Sequence, residues 1–158
     1  LNIVVGGFAG SFAVLAGAAA VDSRIAAAPA LLALTLFFWT PPHFWSLALY
    51  NREDYQRAAV PMLPAIVSSR RSAAVILAHV IAVVILSLLP AAFGAGPVYL
   101  ACAGLGGGYF LYTAMQLARA PTRPLAWSCF KASLIQLTLL LAGAIADGAG
   151  HGQLLGAP

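Results

Sequence analysis

The sequence predicts an all-α, polytopic membrane protein, and three observations carry that expectation. Charge is scarce: 8 Lys+Arg and 4 Asp+Glu stand in 158 residues, where a soluble domain devotes about a quarter of its positions to charge. Apolar residues make up 62% and the mean hydropathy is +0.93, more apolar surface than one core of this size hides from water. Finally, five apolar runs alternate with short breaks rich in glycine, proline or charge, and each run is close to the roughly 20 residues that one membrane crossing needs. A soluble globular domain and a large extramembrane domain are both excluded.

The first run, 1–21, places Asn2, Gly6, Gly10 and Gly17 near one helical face, and a face of small residues invites close helix packing. The second, 30–50, carries two prolines and a histidine in its middle. The third, fourth and fifth cover 73–92, 98–118 and 127–146. Gly104 to Gly108 lie inside an apolar run with no strand before them, so they read as packing residues and not as a nucleotide loop. Cys102 and Cys129 lie in or beside apolar stretches without CxxC spacing, so neither a disulfide framework nor a zinc site is expected. The chain opens on Leu1-Asn2 with no basic n-region. It therefore reads as a piece of a longer protein and not as one that begins with a signal peptide.

Five spans put 51–72 and 119–126 on one side of the membrane, opposite 22–29, 93–97 and the tail. The first side holds Arg52, Arg57, Arg70, Arg71, Arg119 and Arg123, with Lys131 near its edge, and the other holds Arg24 with Asp22 and Asp147. The positive-inside rule turns the basic side to the cytoplasm and the tail from Asp147 to Pro158 outward. The net charge of +4 is thus an orientation signal. The basic residues form no block of the kind that binds nucleic acid, which is not expected as a partner.

The segment Phe37-Phe38-Trp39-Thr40-Pro41-Pro42-His43-Phe44-Trp45 concentrates the unusual chemistry. Adjacent prolines withdraw two N–H donors, so a helix break is expected there, tolerable only against protein or a polar cavity. His43 follows at a depth where ionisable side chains are uncommon and point inward. If the helix resumes, His43, Leu47, Tyr50, Asp54 and Arg57 form one stripe from mid-membrane to the surface. Such a stripe suits an elongated amphiphile with its polar head at the surface. Glu53 and Asp54 supply hard oxygen ligands of the kind magnesium takes, and Arg52 and Arg57 can hold phosphate oxygens. On residue chemistry alone, a solvated charged loop is the leading reading of 52–57, while a histidine bonded to a neighbouring helix weighs equally with a functional His43. His79 reads as a helix–helix hydrogen-bonding residue, and His151, in a glycine-rich tail, as solvated.

The run Trp39-Thr40-Pro41-Pro42-His43-Phe44-Trp45, followed by Arg52-Glu53-Asp54-Tyr55 and Pro61-Met62-Leu63-Pro64, resembles the haem O synthase (protohaem IX farnesyltransferase) branch of the UbiA superfamily of intramembrane prenyltransferases. The glycine pattern from Asn2 to Gly10 and the run Phe130-Lys131-Ala132-Ser133-Leu134 extend the likeness over nearly the whole chain. The resemblance implies a nine-helix bundle around a central cavity, of which residues 1–158 form the C-terminal part of a single domain, with the N-terminal half missing and the chain alone inactive. It implies transfer of a farnesyl group from farnesyl diphosphate to a vinyl group of haem B, giving haem O for terminal oxidases. Asp54 and Glu53 become catalytic, with magnesium on Asp54, and Arg52 and Arg57 bind diphosphate. His43, Trp39 and Tyr50 form the haem side. The implied location is the bacterial inner membrane with a cytoplasmic active site, and the implied recipients are haem A synthase or terminal-oxidase assembly. Ala59 stands where the family commonly carries glycine, Ala13-Val14 where a proline is expected, and His79 where tyrosine is more frequent.

Two other functions compete, and a purely structural membrane subunit, in which the stripe from His43 to Arg57 is coincidental packing, stands as a third reading. A prenyltransferase for a quinone or chlorophyll precursor predicts a full DxxxD motif after Tyr50, which this sequence lacks. A non-enzymatic transporter fragment also accounts for a broken helix beside a central site.

Overall fold

The computed structural model describes residues 2–22, 24 and 26–151. Those residues form seven α-helices and one 3₁₀ turn, with no strand among them. In chain order the helices are α1 (Asn2–Val21), α2 (Ala27–Tyr50), the short α3 (Arg52–Arg57) and α4 (Leu63–Ile66), α5 (Ser69–Leu88), α6 (Pro97–Arg119) and α7 (Arg123–His151). The 3₁₀ turn Leu89–Phe93 extends α5, and Gly94, at φ 90°, reverses the chain in a conformation that glycine adopts without strain. Long helices thus occupy the positions of all five apolar runs. Three stretches are long and apolar enough to cross a membrane: Ser69–Phe93, Pro97–Arg119 and Arg123–Gly148. Among the described residues α1 contributes the shorter apolar stretch Val5–Val21, and the middle of α2 is diluted by Thr40, Pro41, Pro42 and His43.

The expected break at the double proline does not occur. α2 runs unbroken from Ala27 to Tyr50. The fixed φ of proline is already helical, both rings are buried, and α1, α5 and α7 all pack on this helix. The Thr40 hydroxyl turns back to the Leu36 carbonyl at 2.9 Å. α1 covers the carbonyl of Phe37, which Pro41 cannot bond: a Cβ on Gly7 would lie 3.4 Å from that oxygen.

That contact also revises the small-residue face of α1. The stripe against α2 is Gly7, Gly10 and Ser11, with the Ser11 hydroxyl donating across to the Ala33 carbonyl at 2.8 Å. A Cβ on Gly6 or Gly17 would meet nothing within 4 Å among the described residues, and the Asn2 side chain lies outside them. One residue of offset rotates a helix face by about 100°, enough to separate Gly6 from the stripe that Gly7 begins. In α6, Gly106 lets the Cα of Gln136 on α7 approach to 3.1 Å of where a Cβ would sit, and Gly107 meets Val84 of α5. Gly104 and Gly108 face open space. Trp39, Ile76, Val80, Phe110, Leu117 and Cys129 form the main core between α2, α5, α6 and α7.

The bundle has two distinct ends. The α2–α5 connection and the start of α7 meet at one, where Arg123 lies over Tyr50. The α5–α6 turn and the last part of α7 meet at the other. There Asp147, expected at the edge of an outward tail, is 3% exposed and accepts the Tyr99 backbone N–H at 2.8 Å, in the first turn of α6. α7 continues to His151, whose side chain lies outside the described residues.

Candidate functional site

At the basic end a cavity of about 360 Å³ is lined by Tyr50, Arg52, Glu53, Asp54, Arg57 and Arg123, among others. The expected stripe therefore reaches it, but not along one helix. α2 stops at Tyr50, Asn51 turns the chain (φ −101°, ψ 30°), and α3 starts at Arg52. Arg57 donates to Glu53 at 3.3 Å and to Asp54 at 3.4 Å, all three side chains being largely exposed. The Arg52 guanidinium donates to the Ser69 hydroxyl and to the Val67 carbonyl at 3.1 Å, tying α3 to the start of α5.

α3 ends in a Schellman motif: Val60 N–H bonds the Tyr55 carbonyl at 3.0 Å and Ala59 N–H bonds that of Gln56 at 3.1 Å. The motif forces its central residue into the left-handed region, and Ala59 has φ 53°. This is the physical reason for the glycine expected at that position, and alanine there carries strain.

Trp39 and His43 lie apart from the cavity. They stack on each other with ring centroids 4.2 Å apart and pack against α7. The Trp39 indole N–H donates to the Ser133 carbonyl at 3.0 Å, and His43 Nδ1 lies 2.7 Å from the Ser133 hydroxyl oxygen. His43 thus has the inter-helix hydrogen bond that one sequence reading gave it. His79 does not: its Nδ1 bonds the Val75 carbonyl of its own helix at 2.9 Å, and it meets α2 only as an aromatic neighbour of Trp45 and Phe38.

A line of rings joins the two clusters. Arg123 sits 4.5 Å from the Tyr50 ring centroid, Tyr50 is 5.0 Å from Trp127, Trp127 is 5.2 Å from Phe130, and Phe130 is 4.7 Å from His43. Sequence reasoning missed Arg123, Trp127 and Phe130 as site residues. Arg123 entered only the charge count, because nothing in the sequence brings the start of α7 beside the end of α2. Their spacing was the available signal: positions 123, 127 and 130 share one helical face.

Among the described residues no three His, Cys, Asp or Glu side chains gather as a metal cluster. The adjacent carboxylates of Glu53 and Asp54 still fit magnesium, which is commonly held by one or two carboxylates together with substrate phosphates and water. A second cavity of about 560 Å³ at the far end, lined by Val14, Leu32, Pro90, Tyr99 and Ile145 among others, has no charged side chain among the described residues of its walls.

Residues 1–141 match the model of the UbiA prenyltransferase family. The chain belongs to that family. It is 54% identical over 146 residues to protoheme IX farnesyltransferase 2 of Paramagnetospirillum magneticum, covering 92% of this chain and 51% of the relative. It is 44% identical over 147 residues to protoheme IX farnesyltransferase of Roseiflexus castenholzii, 92% of this chain and 28% of that one. Protoheme IX farnesyltransferase 1 of Cenarchaeum symbiosum is 40% identical over 150 residues, 95% of this chain and 51% of the relative. The chain spans about half the length, or less, of these curated relatives. No solved structure matches it. Family membership and the three long apolar helices make it an integral membrane protein.

Proposed function

We propose that this chain is part of a protohaem IX farnesyltransferase, which transfers a farnesyl group from farnesyl diphosphate to a vinyl group of haem B to give haem O. The carrying observation is the convergence of Arg57, Arg123, Glu53 and Asp54 on one cavity at the head of the aromatic line to His43. The names of the relatives support the same reaction. In this reading residues 1–158 are the C-terminal part of a single nine-helix domain, and all five long helices cross the membrane. The excess of arginine at the Tyr50 end turns that end to the cytoplasm and the C-terminus outward, in the inner membrane of a bacterial cell.

Arg57 and Arg123, with any N–H of Arg52 not bonded to Ser69 and Val67, hold the diphosphate oxygens. They stabilise the charge that develops as the bond from farnesyl C1 to oxygen breaks and diphosphate leaves with the electron pair. Glu53 and Asp54 would hold magnesium, which supplies further charge neutralisation when bound. The vinyl carbon attacks the allylic cation, and water captures the resulting cation with loss of a proton, giving the hydroxyethylfarnesyl side chain. Tyr50, Trp127 and Phe130 present π faces between the diphosphate cavity and the haem side, where cationic character is favoured and bulk water is kept away. His43, Trp39 and Tyr50 position the porphyrin.

The test is expression of the complete gene product containing these residues in cells lacking their own synthase, with haem extracted and separated by chromatography. Haem O is expected. Prenylation of a quinone precursor with no haem O would overturn the reading, as would substrate flux into vesicles without any prenylated product. Cysteines placed singly at Arg70 and at Ala92, in a background without Cys102 and Cys129, should label from opposite sides, Ala92 from outside. External labelling at Arg70 would reverse the topology.

A further inference from the structure

The hydrogen-bond pattern around His43 fixes which of its ring nitrogens carries the proton. The Ser133 hydroxyl oxygen lies 2.6 Å from the Phe130 carbonyl and 2.7 Å from His43 Nδ1. A hydroxyl has one proton to give. A carbonyl oxygen has none, and at 2.6 Å two oxygens without a shared proton repel, so Ser133 O–H donates to Phe130. The contact with His43 then needs its proton from the ring: Nδ1–H donates to the Ser133 lone pair. In the neutral ring this leaves Nε2 without a proton and able to give its lone pair to a ligand.

The surroundings suit a ligand at Nε2. Trp39 and Phe130 hold the ring from its sides at centroid distances of 4.2 Å and 4.7 Å. Nε2 has no hydrogen-bond partner among the described residues. His43 is itself 9% exposed, and its neighbours on α2, Phe44 and Leu47, are exposed and half-buried, so a flat apolar ligand would reach the ring past these two side chains. A histidine that donates one N–H to a fixed acceptor and offers the other nitrogen is the usual arrangement of a metal-ligating imidazole.

We infer that His43 gives Nε2 to the iron of the haem substrate as an axial ligand, and that Ser133 is the positioning residue that sets its tautomer and aim. The inference deepens the proposed function and rests on haem being the acceptor. The axial bond would fix the porphyrin plane relative to Tyr50 and the diphosphate cavity, and with it the vinyl group presented to the farnesyl cation.

Ferric haem titrated into the detergent-purified complete gene product tests this by absorption spectroscopy, independently of turnover. A shift of the Soret band characteristic of histidine ligation is expected. His43→Ala should abolish the shift, and added imidazole should restore it. Ser133→Ala should weaken haem affinity by about tenfold to a hundredfold, the range for losing such a supporting hydrogen bond, whereas Ser133→Thr, which keeps the hydroxyl, should match the parent. Iron-free protoporphyrin IX, which keeps both propionates, should bind parent and His43→Ala alike. An unchanged haem spectrum in His43→Ala, or equal affinity in Ser133→Ala and the parent, overturns the inference. Equal sensitivity of haem and iron-free porphyrin to His43→Ala would assign the histidine to the propionates instead. Haem O formation with no histidine-type spectrum refutes the ligation alone, while absence of any haem binding refutes the proposed function as well.

Discussion

The two ends of the bundle use carboxylates in opposite ways. At the far end Asp147 is 3% exposed, and it bonds the Tyr99 N–H across two helices. A Cβ on Gly96 would come within 2.7 Å of that carboxyl group, so the position admits only glycine without rearrangement. At the basic end the Glu53 and Asp54 side chains are 83% and 68% exposed and, among the described residues, pair with the equally accessible Arg57 alone. Exposed pairs of this kind contribute little to stability. The first carboxylate is committed to joining α6 and α7, whereas the other two stand open to exchange Arg57 for a ligand. A buried and bonded acidic group next to a glycine marks architecture here, and an exposed pair beside a cavity is what the proposed diphosphate site requires.

Substitutions should separate the ends cleanly. Asp54→Asn is expected to lower haem O formation by about a hundredfold, the scale of losing one electrostatic stabiliser of the reacting centre, while thermal stability in detergent stays within about 0.5 kcal/mol of the parent. Matching losses of stability and turnover would erase the contrast. Asp147→Ala should do the reverse, costing about 1–3 kcal/mol by leaving the Tyr99 N–H without its buried partner, with the affinity for farnesyl diphosphate unchanged. Wild-type melting of that variant would remove Asp147 from the framework. Arg123→Ala belongs with the open end: an increase of about tenfold in the KM for farnesyl diphosphate is expected, equivalent to about 1.4 kcal/mol, and an unchanged KM would leave Arg123 only its contact with Tyr50. The smallest effect sharpens the view of α3. Ala59→Gly should raise stability by roughly 0.5–1 kcal/mol through relief of the left-handed strain, and a loss of stability would show that the Schellman turn tolerates alanine.

Helix positions were legible because hydropathy and the charged breaks fix them with little help from tertiary contacts. The charged cavity was half legible. Arg52, Glu53, Asp54 and Arg57 are neighbours in sequence and stayed neighbours in space. Arg123 was not, since its partnership with Tyr50 depends on how the α6–α7 turn lies against the end of α2. Helix rotation was the other hidden quantity. It decides that Gly7 and not Gly6 meets α2, and that His43 turns toward Ser133. The double proline misled for a related reason: its local cost is fixed by chemistry, but the packing around α2 that offsets it is set by three other helices.

The line of rings has a practical consequence, because the chain's three tryptophans fall one to each environment. Trp127 stacks within the row that begins at the charged cavity, Trp39 lies face to face with His43, and Trp45 meets His79 on the side of α5. Variants retaining one tryptophan each would carry their own optical reporters. Emission from Trp127 should respond first to a bound anion, and emission from Trp39 should be quenched by a bound porphyrin through energy transfer. The order in which the two substrates arrive could then be timed in a stopped-flow instrument without any added label.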